Sequence, residues 1–231
     1  MSLSDPAARA DIRASILGRL RDTLGADPAA VAARRASVEA RLGLAVPATA
    51  PALADDPEAL LRRFQGEAEQ LASTVAVVEG WGSVPAAVAA YLAEKGLDTQ
   101  GVIAPELAAL PWAGAGLAVE PREARDADLL GITGCFCAIA ETGTLMLLSA
   151  PGSPATVSLL PETHVALIPV SRLVPTMEAA FARLRETAPG GQPPRAVNFI
   201  SGPSRTGDIE QTLVLGAHGP YRVHLILIRG A

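Results

Sequence analysis

Ile12, Ile16, Leu20 and Leu24 recur every four residues, which lays one apolar stripe along a helix. Asp5-Pro6 opens that helix with a capping side chain and a proline in the first turn, and Gly25 closes it. Asp27-Pro28 opens a second helix, with Val31, Val38 and Leu42 facing inward, Arg34, Arg35 and Arg41 in solvent, and Gly43 as its stop. Residues 45–54 hold Pro47 and Pro51 among alanines and read as a linker. Residues 1–54 are therefore expected to form a helical arm and linker against the main body or a second subunit, and residues 55–231 the α/β domain.

Beyond the linker the pattern alternates. Asp56-Pro57 opens a third helix with Leu60, Leu61, Phe64 and Leu71 on one side. Residues 74–79 (TVAVVE) fit a buried strand. A helix follows from Ser83-Val84-Pro85 to Ala93, stopped by Gly96, and then come candidate strands at 101–104 and 116–120. Strands alternating with helices predict α/β architecture around a largely parallel sheet. After Asp128 the helices give way to strands. Residues 137–140 and 144–149, joined across Glu141-Thr142-Gly143, read as a hairpin. Residues 156–160 and 164–169 read as further strands, and 175–186 as an amphipathic helix with Met177, Phe181 and Leu184 inward. Gly190 to Pro194 reads as a surface loop, and 196–200 and 223–228 as the last two strands. Trp81 and Trp112 each follow a strand-like segment and read as lids on the core.

Composition narrows the function classes. With 49% hydrophobic and 19% charged residues, the 231-residue chain is globular rather than disordered. Nineteen basic against twenty-four acidic residues give a net charge of −5, which disfavours a nucleic-acid partner. No run of about 18 apolar residues predicts a membrane span. The first residues carry no basic stretch followed by an apolar core, so a cytoplasmic protein is expected. Cys135 and Cys137 would point the same way on a strand and read as small packing residues. The three histidines show no zinc-binding spacing, and no GxGxxG follows a strand. Lys95 is the only lysine and precedes Gly96 at a helix end, so a bound anion would have to be held by arginine or backbone N–H groups.

Two stretches hold candidate chemistry. The first, ISGPSRTGDIEQTLVLGAHGP over residues 200–220, packs Ser201, Ser204, Arg205, Thr206, Asp208, Glu210 and His218 among four glycines and two prolines, between two strands. Polar residues on a loop held by buried strands are where binding chemistry concentrates. Ser204 and Thr206 can each cap a helix over residues 207–213, whose free N–H groups would join Arg205 in an anion site. Equally, Arg205 can pair internally with Asp208 or Glu210. His218, between Gly216 and Gly219-Pro220, can carry a proton near neutral pH or simply hydrogen-bond its turn. His164 and His224 lie inside strands and read as structural. The second stretch is the 140–144 turn, whose Glu141 can serve as base or nucleophile, or sit in solvent.

Together GITGCFCAIAETGTLML (131–147) and SGPSRTGDIEQTLVLGAHGP (201–220) resemble the LUD domain family, and Leu159-Leu160-Pro161 before His164 fits the same pattern. Cys135-Phe136-Cys137 departs from it, where an alanine, a small polar residue and an aromatic are expected. The resemblance covers 64–228. It implies a three-layer α/β/α sandwich like the NagB/RpiA/CoA-transferase group, and a role in oxidising L-lactate to pyruvate beside partner proteins that carry iron–sulfur clusters. This chain lacks the cysteines for a cluster, so it would be the cluster-free subunit, with no cofactor or metal of its own. The matching positions are Glu141, Thr142, Gly143, Thr144, Ser204, Arg205, Thr206, Asp208, Glu210, His218 and Gly219. On them Glu141 and His218 become catalytic candidates, and the others, Glu210 apart, candidates for holding a small organic anion. The competing readings are a stand-alone enzyme on a carboxylate, CoA ester or sugar phosphate with Glu141 as base or nucleophile, and a non-catalytic module that senses an organic acid or docks a partner.

Overall fold

The computed structural model describes residues 6–24, 27–42, 56–150, 152–187, 194–209, 212–216 and 218–230. The chain divides into two units, Met1–Ala50 and Pro51–Ala231. The first holds helices α1 (Pro6–Thr23) and α2 (Pro28–Leu42). The expected inward faces are not buried: Ile12, Ile16, Leu20 and Leu24 are 38% to 70% exposed, and Val31 and Val38 are also exposed. Residues four apart advance about 40° around a helix, so such a stripe spreads rather than forming a tight seam. Asp5, Gly25, Gly43 and the linker at 45–54 lie outside the described residues.

The second unit is built on a six-stranded, wholly parallel sheet. Its strands are β1 (Thr74–Val78), β2 (Gln100–Ile103), β3 (Ala118–Pro121), β4 (Leu130–Thr133), β7 (Thr163–Pro169) and β12 (Arg222–Ile228), in the order β1-β12-β7-β4-β2-β3. The central strands are buried on both faces, as a parallel sheet covered on both sides requires. Alternation then sorts the side chains. Val165, Leu167, Ile226 and Ile228 pack with helix α4 (Val84–Lys95), and Trp112 packs there too, donating Nε1–H to Leu107 O at 3.0 Å. Ala166, Ile168, Leu225 and Leu227 point the other way, against Leu60, Leu61 and Phe64 of helix α3 (Pro57–Gln70). Gly96 ends α4, the stop read from sequence, and does so in the left-handed conformation. Strand β1, expected to be buried, pairs only with β12 and leaves Val77 exposed at the sheet edge.

A second, four-stranded sheet lies on the α3 side. It runs β8 (Leu173–Val174), β5 (Cys137–Ile139), β6 (Thr144–Leu148), β9 (Val197–Ile200). The expected hairpin is β5–β6, antiparallel with Ile139 opposite Thr144. Ala138 and Leu145 face the shared core, while Cys137, Ile139 and Met146 face helix α6 (Met177–Thr187). The mixed α/β architecture with a mostly parallel sheet flanked by helices is thus borne out.

Three local expectations are corrected. Residues 156–160 form a short helix, α5 (Thr156–Leu159), not a strand; so short an apolar run carries no period. Gly131 of β4 admits it, because a Cβ there would lie 2.0 Å from Val157 O. Phe181 does not face inward on α6; Ala180 and Leu184 do, and Phe181 meets the exposed Phe199 ring at 5.9 Å. The helix expected over 207–213 is a hairpin, β10 (Arg205–Ile209) with β11 (Thr212–Leu215), Thr206 opposite Val214. Thr206, Ile209, Thr212 and Val214 are β-branched and lose side-chain freedom in a helix.

Candidate functional site

The site begins at the carboxyl end of α3. Asp56 caps the other end, accepting the Ala59 N–H at 2.8 Å. At the carboxyl end Ala72 takes a left-handed φ of 64°, and the Ser73 N–H returns to Ala68 O at 3.0 Å. This closing loop leaves the Leu71 carbonyl pointing out of the helix end, where the macrodipole favours a cation. Arg205 Nη2 donates to that carbonyl at 3.3 Å.

Both motif turns rest on this helix end. Gly143 has φ of +60°, and a Cβ there would lie 2.4 Å from Ala68 N. Gly202 has φ of +77°, and a Cβ there would lie 2.2 Å from Leu71 O. Only glycine permits both the backbone conformation and the approach. The turns are also joined to each other. Strands β6 and β9 pair antiparallel, with Leu145 opposite Ile200, so each motif turn abuts the same end of that pair. Thr142 Oγ1 donates to Thr144 Oγ1 at 2.8 Å, and Thr144 Oγ1 lies 2.7 Å from Ser201 Oγ. The sequence points to Thr144 and to Ser201 separately but not to their contact; adjacency of β6 and β9 is a long-range pairing that local pattern does not carry.

A cleft of about 420 Å³ opens beside the second turn, with Leu71, Ser201, Ser204, Arg205, His218 and Gly219 on its walls. Ser204 is fixed there by its backbone, its N–H donating to Pro220 O at 2.9 Å and its carbonyl accepting from Gly216 N at 3.0 Å. Gly219 packs on it, since a Cβ would fall 3.3 Å from Ser204 Cβ. Arg205 and His218 are both exposed on this wall. The fold therefore brings Ser204, Arg205, His218 and Gly219 together. Glu141 does not line the cleft. Its N–H donates to Pro175 O at 3.0 Å and its carbonyl accepts from Arg63 Nη2 at 3.5 Å. Thr142 and Gly143 serve the turn on α3, and Thr144 reaches the cleft wall only through Ser201. Thr206 and Asp208 fall on β10, so no helix start contributes N–H groups there. Glu210 lies outside the described residues.

The other two histidines and the two cysteines are buried. His164 is fully buried, its Nε2 2.8 Å from Thr133 Oγ1, and burial pushes its pKa down to about 4. His224 stacks on Tyr91 with ring centroids 3.9 Å apart, its Nδ1 2.8 Å from Thr74 Oγ1, and burial again pushes its pKa down to about 4. Both cysteines are free and buried, which raises the Cys135 thiol to about 12 and the Cys137 thiol to about 11, far from the thiolate needed for redox or metal chemistry. Among the described residues no three His, Cys, Asp or Glu side chains gather to hold a metal ion, and no helix is long and apolar enough to cross a membrane.

Comparison with known proteins places this geometry. The LUD domain model matches residues 108–228, just over half the chain and the span of both motif turns. The chain is 45% identical over 100 residues to lactate utilization protein C of Exiguobacterium sp., which is 43% of this chain and 44% of that protein. It is 46% identical over 107 residues to the protein of the same name from Halalkalibacterium halodurans, covering 46% of each, and 42% identical over 100 residues to that of Bacillus subtilis, covering 43% and 42%. The chain thus matches less than half the length of these relatives. A crystal structure of a DUF162 family protein from Deinococcus radiodurans superposes with a TM-score of 0.55 at 23% identity, over 75% of this chain and 98% of that one, and so shares the fold. The family match runs across both motif turns and over half the chain: the chain belongs to the LUD domain family.

Proposed function

We propose that this chain is a cluster-free component of lactate utilisation that binds a small organic anion in the Arg205 cleft and works with iron–sulfur partner proteins in oxidising L-lactate to pyruvate. The observation that carries the reading is the shared wall of Ser204, Arg205 and His218 at the junction of the two motif turns. A guanidinium has five N–H donors in a fixed plane, and the Leu71 carbonyl takes one. The planar fork suits a carboxylate, and His218 on the same wall adds an imidazole that can hydrogen-bond one. The names of the relatives supply the physiological setting.

Oxidising a hydroxyl to a carbonyl releases two electrons, and in this reading the iron–sulfur partners accept them. Purified chain is expected to be inert toward L-lactate, with turnover appearing only when iron–sulfur partners are added. In that mixture Arg205→Ala lowers turnover at least tenfold, and Arg205→Lys, which keeps the charge without the fork, recovers part of it. Robust lactate oxidation by the chain alone would overturn the partner-dependent reading. Undiminished turnover in Arg205→Ala would overturn the cleft.

A further inference from the structure

We propose a second binding site, for a short-chain carboxylic acid bearing a hydroxyl or carbonyl next to its carboxylate, at the carboxyl ends of the parallel strands, the opposite end of the sheet from the Arg205 cleft. The site does not rest on the role proposed above; the choice of acid does. The sheet order supplies the first argument. From β2 the chain moves outward to β3 and then back past β2 to β4. The segments that leave β2 and β4 lie on opposite faces: Trp112 after β2 packs in the α4 core, and Cys135 and Ala138 after β4 pack in the α3 core. Segments leaving β2 and β4 at their carboxyl ends therefore diverge and open a crevice. In open α/β sheets such a switch point is where ligands bind. The Arg205 cleft lies by contrast where β1 and β12 begin, beside Leu71 and Pro220.

The crevice is occupied by chemistry that the motif turns do not use. Its cavity of about 160 Å³ is lined by Glu106 from the segment after β2, Gly134 from that after β4 and Arg172 from that after β7, with Ser153 and the apolar Leu147 and Leu148 completing it. Three adjacent strands thus each deliver one element. Arg172 is fixed by donating Nη1–H to the Cys135 carbonyl. Gly134 brings bare backbone up to the carboxyl, since a Cβ there would lie 2.8 Å from Glu106 Oε1. Glu106 is exposed as a residue, yet its carboxyl is partly desolvated, which raises its pKa despite the opposing pull of Arg172. The Gly134 backbone hydrogen-bonds the Glu106 carboxyl, and among the described residues Glu106 and Arg172 form no direct ion pair, so the remaining oxygen of one and the remaining N–H groups of the other can meet a third party.

Size and chemistry select the ligand. The cavity is well below the roughly 300–1,000 Å³ of pockets for drug-sized molecules, so a nucleotide or a whole CoA ester does not fit. A three- or four-carbon acid does. Its carboxylate pairs with the Arg172 guanidinium, its neighbouring oxygen meets the Glu106 carboxyl or the Ser153 hydroxyl, and its short alkyl group lies on Leu147 and Leu148.

The test is a titration of the ¹⁵N-labelled full chain with L-lactate, pyruvate and, as a control lacking the second oxygen, propionate. The Gly134 amide reports on this crevice. Saturable Gly134 shifts are expected with L-lactate or pyruvate, at least tenfold tighter than with propionate. Arg205→Ala should leave them unchanged, and Arg172→Ala should weaken them at least tenfold. Because Arg172 also holds the Cys135 carbonyl, Ser153→Leu provides a second variant that fills the cavity and should abolish the shifts in a folded protein. A Gly134 amide silent to both acids overturns the site, and if Ser204 and His218 amides respond meanwhile, the Arg205 cleft stands without it. Gly134 shifts that survive Ser153→Leu, or that vanish in Arg205→Ala, also overturn it.

Discussion

Gly143→Val should be among the most damaging single substitutions in the domain, with a loss on the order of 4 kcal/mol and a fall of about 10 °C in melting temperature. Two costs add. The left-handed backbone at φ of +60° costs a β-branched residue about 1–2 kcal/mol, and the new Cβ meets the α3 backbone at Ala68 N, which has no rotamer to yield. Gly202→Val should behave alike, because its obstacle is the Leu71 carbonyl at 2.2 Å. Gly96 is the control. It shares a left-handed φ of +64° but has no atom within 4 Å of an added methyl, so Gly96→Ala should cost only about 1 kcal/mol. Thermal unfolding of the three variants separates the contributions. If Gly143→Val and Gly96→Ala were equally mild, the turn would not be seated on α3.

Acid should unfold the domain well above the pH at which carboxylates titrate. His164 and His224 are buried neutral, with pKa values near 4 in the fold against an ordinary 6.5. Between those limits the unfolded chain binds more protons than the folded one, so stability is complete above about pH 6.5 and falls as pH drops toward 4. Each histidine contributes on the order of 3 kcal/mol to that loss. Around His224, Glu94 pulls its pKa up and Lys95 pushes it down, and Tyr91 stacks on it as a neutral phenol; around His164 the near group is the uncharged Thr133 hydroxyl. Urea unfolding at pH 7, 6 and 5 should show a steep decline, roughly halved in slope by His224→Gln. A flat profile from pH 7 to 5 would mean the imidazoles are not buried neutral.

What the chain reveals before it folds depends on the range of the interaction. Asp56-Pro57, Gly96 and the Glu141-Thr142-Gly143 turn act within a few residues, and the α3 cap, the α4 stop and the β5–β6 hairpin appear where they indicate. Leu130–Thr133 gives no such signal, because four residues including a glycine carry no period, although β4 is central to the parallel sheet. Residues 207–213 mislead for the opposite reason: Ser204 and Thr206 are sound helix caps, but hairpin pairing of the β-branched residues that follow outweighs a cap. In the site, Arg205 and His218 are readable together because both lie between β9 and β12. That Glu141 sits off their cleft is not readable, since the strand order decides it. Glu106 and Arg172 carry no local motif; only their places just beyond β2 and β7 mark them, and those places acquire meaning once the sheet order is known.

The Arg205 cleft is best tested by following Ser204, Arg205, His218 and Gly219 amides while the full chain is titrated with L-lactate, pyruvate and inorganic phosphate. Saturable shifts confined to this wall, present in the parent chain and lost in Arg205→Ala, are the result expected of an anion site. Amides on this wall that stay silent to all three anions, in a protein whose fold is intact, would contradict it.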